Sequence, residues 1–306
     1  MTRVVTVTLN PALDITYDVP ALVPGDSVRV GAVRSRAGGK GINVSSVVRA
    51  LGGDTVAVAP AALAADPFRS LLDTLGLPCR LIPAFEAVRR TIAVVGADGT
   101  TTILLEPGNP VAPGTAAAVL ETVAAELATA DALVVSGSLP PGLPADLPAQ
   151  LAKLAGVPAV ADVSGEALRH AAGAGAVLMP NRDELAELTG SPIASAREAA
   201  GRGRRLLDDG AAAVVVTLGS SGVVAVTPDG TWAARPPQTV TGNPTGAGDA
   251  AAAALALHLA ARTPWPLALA DVVATAAACV LRPVAGEIDL TARAGWIGQV
   301  IVEELS

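Results

Sequence analysis

The sequence predicts an α/β fold: a doubly wound, three-layer α/β/α sheet carrying a small β lid. From about residue 115, short apolar runs such as Ala132 to Ser136, Ala159 to Val163 and Ala213-Val214-Val215-Val216 alternate with helical patterns. That alternation describes parallel strands buried on both faces by the helices that connect them. Two separated stretches, about 10–36 and 86–106, are instead β-rich with turn signals between the runs, which describes a lid built from two parts of the chain. A length of 306 residues accommodates one domain over 1–306 with such an appendage.

The chain opens on β-rich runs at Arg3 to Leu9, Ile15 to Val19 and Ser27 to Val33, then Thr91 to Gly96 and Thr101 to Leu105. The last two flank Gly96-Ala97-Asp98-Gly99, whose Asp-Gly pair supplies hairpin turn conformations. Ile42 to Leu51 and Phe68 to Leu75 carry helical periodicity. Helical and strand patterns then alternate through Thr115 to Ala128, Leu147 to Leu154, Ala176 to Met179, Asp183 to Leu188, Ala196 to Leu207 and Val223 to Val226. Two Ala-rich helices follow Gly248 and Leu267. No internal repeat interrupts this order.

Composition narrows the function. Hydrophobic residues make up 51% and aromatics only 2%, so the core is Ala, Val and Leu, and ligand stacking on exposed aromatics is a poor expectation. The net charge of −7, without any Lys/Arg-rich run, excludes a footprint for nucleic acid. Small anions stay compatible, because a few N–H groups and one or two cations can hold a phosphate. Cys79 and Cys279 are too few for a disulfide framework or thiolate metal site, which fits a reducing, cytoplasmic setting. Met1-Thr2-Arg3-Val4-Val5 reads directly into a strand without the sections of a signal peptide. The longest apolar stretch, Ala250 to Ala261, is too short for a bilayer, so no membrane partner is expected.

Thr241-Gly242-Asn243-Pro244-Thr245-Gly246-Ala247-Gly248-Asp249 runs straight into a helix. A small-residue turn at a helix N-terminus presents free N–H groups at the positive end of the dipole, where a phosphate binds. Asp249, beside it, is placed to take a proton from a hydroxyl as a phosphoryl group arrives. A helix N-cap is the competing reading. Ala37-Gly38-Gly39-Lys40-Gly41-Ile42-Asn43 is a second glycine turn before a helix, with Lys40 and Asn43 available to an oxygen-rich ligand; it lacks the spacing of a Walker A loop, and a plain tight turn competes. Asn181 and Glu184 stand three apart at a strand end and helix start. Such hard oxygen donors suit Mg²⁺ beside nucleotide phosphates, often through water, while a capping box has the same spacing. Asn10 and Asp14 follow the first strand, and Ser136-Gly137-Ser138-Leu139-Pro140-Pro141-Gly142 follows another; both fall where parallel sheets bind ligands. His170 and His258 lie in helical Ala-rich stretches and read as core or surface residues.

Taken in order, Thr8-Leu9-Asn10-Pro11-Ala12-Leu13-Asp14, Gly38-Gly39-Lys40-Gly41-Ile42-Asn43-Val44, Ser136 to Gly142, Asn181 with Glu184, and Gly246-Ala247-Gly248-Asp249 resemble the phosphofructokinase B (PfkB) carbohydrate kinases of the ribokinase superfamily. The 1-phosphofructokinase and tagatose-6-phosphate kinase branch is the nearest in pattern. The resemblance spans essentially the whole chain and implies a ribokinase-like fold with ATP and Mg²⁺ as cofactors. By the same resemblance Asp249 is the catalytic base, and Gly246, Ala247 and Gly248 form the anion hole. Asp14, Gly38, Gly39, Asn43 and Ser138 contact the sugar; Arg90, with Lys40 assisting, reaches a phosphate the substrate already carries. Thr217 and Gly219 belong to the nucleotide site, and Asn181 with Glu184 organises Mg²⁺ and phosphate, Glu184 through water. Pairing of two copies through the lid implies a homodimer.

The pattern departs from the family at Met179, where a lysine is usual, and at Val58 to Leu63, where glycines are common. The expected activity is transfer of the ATP γ-phosphate to a ketohexose phosphate, with fructose 1-phosphate, tagatose 6-phosphate and fructose 6-phosphate as candidate acceptors. A kinase of an unphosphorylated sugar or nucleoside, and a non-catalytic sugar-phosphate or nucleotide-binding module on the same fold, are the alternatives.

Overall fold

A computed structural model describes residues 1–64 and 66–305. Its main sheet has ten strands in the spatial order β14 (Ile301–Glu304), β13 (Thr231–Arg235), β12 (Val223–Val226), β11 (Ala213–Thr217), β10 (Val177–Leu178), β9 (Ala159–Asp162), β8 (Ala132–Ser136), β1 (Arg3–Thr8), β4 (Asp54–Ala62) and β5 (Cys79–Phe85). The seven strands from β11 to β5 run parallel, and β12 to β14 extend the sheet as antiparallel neighbours.

The two-residue period of a strand separates two cores. Val5 and Val7 of β1 face helices α3 (Thr115–Leu127), α4 (Leu147–Leu154), α5 (Gly165–Ala172), α6 (Arg182–Thr189) and α7 (Ala196–Asp208). Val4, one residue out of phase, faces α1 (Lys40–Ala50), α8 (Ala247–Ala260) and α9 (Trp265–Val280). On α8 every residue from Asp249 to Ala256 is buried, and the run of alanines lets the helix pack closely on all sides. Met179 is also in this second core, 2% exposed. The position where the resemblance implies a lysine is therefore spent on packing.

Because β1 lies between β4 and β8, the chain leaves it toward one sheet edge and later returns on the other side. The crevice at the carboxyl ends of such diverging strands is where doubly wound sheets bind ligands. Over it stands the second sheet, in the order β3 (Val33–Gly38), β2 (Ala12–Val19), β6 (Arg89–Gly96) and β7 (Thr101–Leu105). Short helix α2 (Pro67–Thr74), capped by the Asp66 side chain on Phe68 N–H, packs Phe68 and Leu72 at the base of this lid.

The expected strand at Ser27 to Val33 is not formed; the strand is Val33–Gly38. Ladder pairing with β2 starts at Tyr17–Val33, and only Gly31 and Ala32 before it still bond Asp18 of β2, while Val30 and Val33 are exposed, so the β-prone residues Val28 and Val30 pair with no strand among the described residues. Strands β4, β5, β13 and β14 carried no expectation. The Val58 to Leu63 departure overlaps the end of β4, where Val58 to Ala61 are buried. Of the last two helices, α10 (Leu290–Ile297) packs against α9. No helix among the described residues is long and apolar enough to cross a membrane.

Candidate active site

Helix α8 begins at Ala247, earlier than the sequence pattern implies, with Gly246 as its N-cap. Gly246 has φ 88°, a left-handed conformation, and an added Cβ would lie 2.8 Å from the Ala285 Cβ. Both facts demand glycine. Ala247 N–H closes the turn on Pro244 O and Ala250 N–H bonds Gly246 O, so among the first-turn donors it is Gly248 and Asp249 whose N–H groups remain to meet an anion. Asp249 is in the helix rather than capping it, so the capping alternative fails. Its carboxyl is 5% exposed, and Oδ2 accepts a 2.8 Å bond from Asn43 Nδ2. Burial, reinforced by Asp162 and Asp14 and opposed by Lys40 and Asn43, pushes it up to about 7.

Across the crevice, β2 brings Asp14 under the lid. Gly38 opposes it closely: a Cβ there would fall 1.9 Å from an Asp14 carboxylate oxygen, so the first glycine of the Gly38-Gly39 pair makes room for this side chain. Asp14 pairs in register with Arg36 on β3 and Thr91 on β6, which places those side chains and Arg89 on one lid face. Burial raises the Asp14 carboxyl to about 6 against the pull of Arg36 and Arg89.

The same alternation corrects the Arg90 expectation. Arg90 pairs with Leu13 and projects from the opposite lid face, where its guanidinium binds the Glu106 carboxylate at 2.8 Å in the exposed surface. Arg89 faces Asp14 instead; its Nε donates to Asn10 O at 3.2 Å and its Nη1 to Glu106 O at 3.0 Å. The crevice thus holds more cations than Lys40 alone.

Lys40, at the start of α1, bonds both oxygens of Asp162 at 3.0 and 3.2 Å, and Ser136 Oγ donates to Asp162 Oδ2 at 2.8 Å. Burial works against the Lys40 charge, but Asp162, Asp249 and Glu184 outweigh it and hold the ammonium above its ordinary range. Ser138 accepts a 3.0 Å bond from Asn10 Nδ2. Beyond the anion turn, Asn181, Thr217, Gly219, Gly242, Pro244 and Gly248 line a cleft of about 680 Å³ whose inner wall is α9. Thr217 and Gly219 therefore join Gly248 around one cavity, and Asn181 is bridged to Thr217 by a single β-pair.

Asn181 and Glu184 do form a capping box: Asn181 Oδ1 accepts from the Asp183 and Glu184 N–H groups, and Glu184 Oε2 accepts from Asn181 N–H at 2.8 Å. Capping uses one carboxylate oxygen of Glu184. Burial raises its carboxyl above the usual range, with Lys40 opposing. No cluster of three or more His, Cys, Asp or Glu with metal-binding geometry occurs among the described residues. One half-buried carboxylate beside an anion cleft fits a hard cation carried mostly by phosphate and water.

Three residues of this crevice carried no sequence expectation: Arg36, Arg89 and Asp162. Asp162 has a local signal, an acid ending the apolar run Ala159-Val160-Ala161. Arg36 and Arg89 become visible only through strand pairing. His258, set aside in the sequence, lies elsewhere, bonding Asp271 at 2.8 Å.

A buried carboxylate beside free helix-N-terminal N–H groups, facing a cationic lid across a crevice, is a phosphoryl-transfer geometry. The model of the pfkB family carbohydrate kinases matches residues 7–292, and the chain belongs to that family. It is 34% identical over 265 residues to the ATP-dependent 6-phosphofructokinase isozyme 2 of Mycobacterium tuberculosis, covering 84% of this chain and 78% of that one. To the 1-phosphofructokinase of Xanthomonas campestris it is 35% identical, covering 84% of each chain. The phosphofructokinase-2 of Escherichia coli crystallised with fructose-6-phosphate superposes with a TM-score of 0.88 at 29% identity, over 98% of this chain and 99% of that one.

Proposed function

We propose that the protein transfers the γ-phosphoryl group of ATP to a hydroxyl of a ketohexose phosphate. The supporting observation is the Asp249 carboxylate, buried between Asn43 and the free N–H groups of α8 and facing the Asp14, Arg36 and Arg89 side of the lid. Asp249 accepts the proton of the attacking hydroxyl while that oxygen bonds to phosphorus and the bond to the ADP oxygen breaks. The Gly248 and Asp249 N–H groups stabilise the equatorial oxygens of the moving group, and Lys40 offsets their charge. Asp14, Asn43 and Ser138 orient the sugar hydroxyls; Arg89 takes its phosphate. ATP occupies the Thr217–Gly219 cleft. Bound Mg²⁺ neutralises nucleotide phosphate charge, and Glu184 is the residue that would hold it, through water. ADP release measured with fructose 1-phosphate, tagatose 6-phosphate, fructose 6-phosphate and free fructose tests the proposal. Turnover of free fructose at the same efficiency as all three phosphates would overturn the acceptor assignment, and no turnover of any would overturn catalysis.

Glu184→Gln separates its two roles. Glutamine keeps an acceptor for the Asn181 N–H, so melting should stay within about 0.5 kcal/mol of wild type. The lost charge should raise the Mg²⁺ concentration for half-maximal rate about 10–100-fold. A lower melting temperature with unchanged Mg²⁺ dependence would leave only the cap.

We also propose that two copies pair through the lid, because Val33, Ile103, Leu104 and Leu105 are 60%, 46%, 54% and 68% exposed on it. Sedimentation should give a dimer, and Leu104→Asp should yield monomer. A wild-type monomer at micromolar concentration would refute this.

A further inference from the structure

Arg36 is unusual in the crevice because its side chain ties three separate parts of the fold together. It belongs to lid strand β3, yet Nη1 donates to Ala285 O in the loop after α9, and Nη2 donates to Asn43 Oδ1 on α1 at 3.4 Å. That loop backs the anion turn directly, since a Cβ on Gly246 would meet Ala285 Cα at 2.9 Å. Gly286 is closed in the same way: its Cβ would lie 3.2 Å from Asn43 Oδ1 and 3.3 Å from Arg36 Nη2. The Arg36 Nε is buried without a partner among the described residues. Half-burying a guanidinium costs free energy, so the placement calls for a reason beyond lid stability.

The reason lies in the Asn43 amide. An ionised Asp249 offers only acceptors, so the amide nitrogen must face it; the amide oxygen then faces Arg36, which offers only donors. Arg36 thus selects one of the two amide orientations, the one that spends Asn43 Nδ2 on Asp249 Oδ2. We infer that Arg36 is a positioning residue for phosphoryl transfer, fastening the lid to the loop behind the anion turn and setting, through Asn43, the carboxylate of Asp249. This rests on the assignment of Asp249 as base.

Other charges facing Asp249 are Asp162 at the end of β9, Lys40 on α1 and Asp14 on β2, with the Cys279 thiol on α9 beside it. Glu287 faces Arg36 from the Ala285 loop, Arg89 on β6 faces Asp14, and Glu184 on α6 faces Lys40. Of these, Arg36 is the cation bonded to the residue that bonds the base.

The test is the pH dependence of kcat for Arg36→Met and Arg36→Lys, with MgATP and whichever of fructose 1-phosphate or fructose 6-phosphate wild type turns over faster. Removing a cation near a carboxylate raises its pKa, and the base must be ionised to act. Arg36→Met should therefore lower kcat about 10–100-fold and move the acid limb about 0.5–1 pH upward, leaving the KM for ATP unchanged. Arg36→Lys keeps the charge but cannot bond both acceptors, so it should leave the limb in place and lower kcat about 3–10-fold. Wild-type kcat and limb in Arg36→Met overturn the inference, as does a loss confined to the sugar-phosphate KM. Should Arg36→Met not fold, wild-type kcat in Arg36→Lys overturns it alone. Near-wild-type kcat in Asp249→Asn would remove the base assignment and the positioning role together; a loss of about 10²–10⁴-fold in Asp249→Asn beside a wild-type-like Arg36→Met removes only the positioning role.

Discussion

Asp249→Asn is expected to lower kcat about 10²–10⁴-fold while sugar-phosphate binding is kept, because it deletes the proton acceptor and preserves the shape around Asn43. In wild type, burial and the nearby Asp162 hold this carboxyl up to about 7, so the base is protonated below neutrality. Wild-type kcat/KM should therefore rise about tenfold per pH unit up to about 7 and flatten above it, while the residual rate of the variant lacks this limb. Stability should respond in the opposite sense. A folded carboxyl raised above its ordinary 3.8 means that the folded state holds the proton more tightly. Stability falls as pH rises from about 4 to about 7, and the full penalty is present at pH 8. Asp249→Asn should thus melt higher than wild type at pH 8, by about 2–4 °C per kcal/mol recovered, and lose that advantage near pH 4. Near-wild-type kcat in the variant would remove Asp249 from the mechanism.

Arg89→Ala should carry the second large effect, and Arg90→Ala should not. Arg89 is half-buried, faces Asp14, and has two of its donors fixed on the carbonyls of Asn10 and Glu106. A guanidinium braced in this way presents its remaining N–H groups in a set direction, suited to a phosphate. Losing that contact should cost roughly 1.5–3 kcal/mol, or about 10–100-fold in kcat/KM for the sugar phosphate. Weak activity on the free sugar should change little. Arg90 pairs with Glu106 in the exposed surface, where such pairs contribute about 0–1 kcal/mol, so Arg90→Ala should stay within about threefold of wild type. Steady-state kinetics of both variants on fructose 6-phosphate and on fructose decide between them. Equal loss on both substrates in Arg89→Ala would mean general damage to the lid, and a selective loss in Arg90→Ala would restore the original assignment.

Much of the crevice is legible in the sequence because its parts are local motifs. The glycine turn before α8, the Gly38-Gly39-Lys40 turn before α1 and the Asn181–Glu184 pair each complete their geometry within a few residues, and turn and capping chemistry acts at that range. The parallel body is equally legible, since strands buried on both faces must be written as continuous apolar runs. The lid was legible only in outline: Ser27 to Val33 had the composition of a strand and Val33–Gly38 became one, because a strand exists only where another lies beside it.

The sequence by itself determined the fold class, the helix that carries Asp249 and the family to which the chain belongs. Tertiary structure alone decided which arginine faces the crevice. Arg89 and Arg90 are neighbours of identical chemistry, and the register of β6 on β2 sends one toward Asp14 and the other to solvent. It also decided that Asp162 holds Lys40, that Met179 fills a core and that Arg36 reaches Asn43 and Ala285. These contacts join residues far apart in the chain, and a single sequence records the period of each strand but not the partner or register that turns the period into a face.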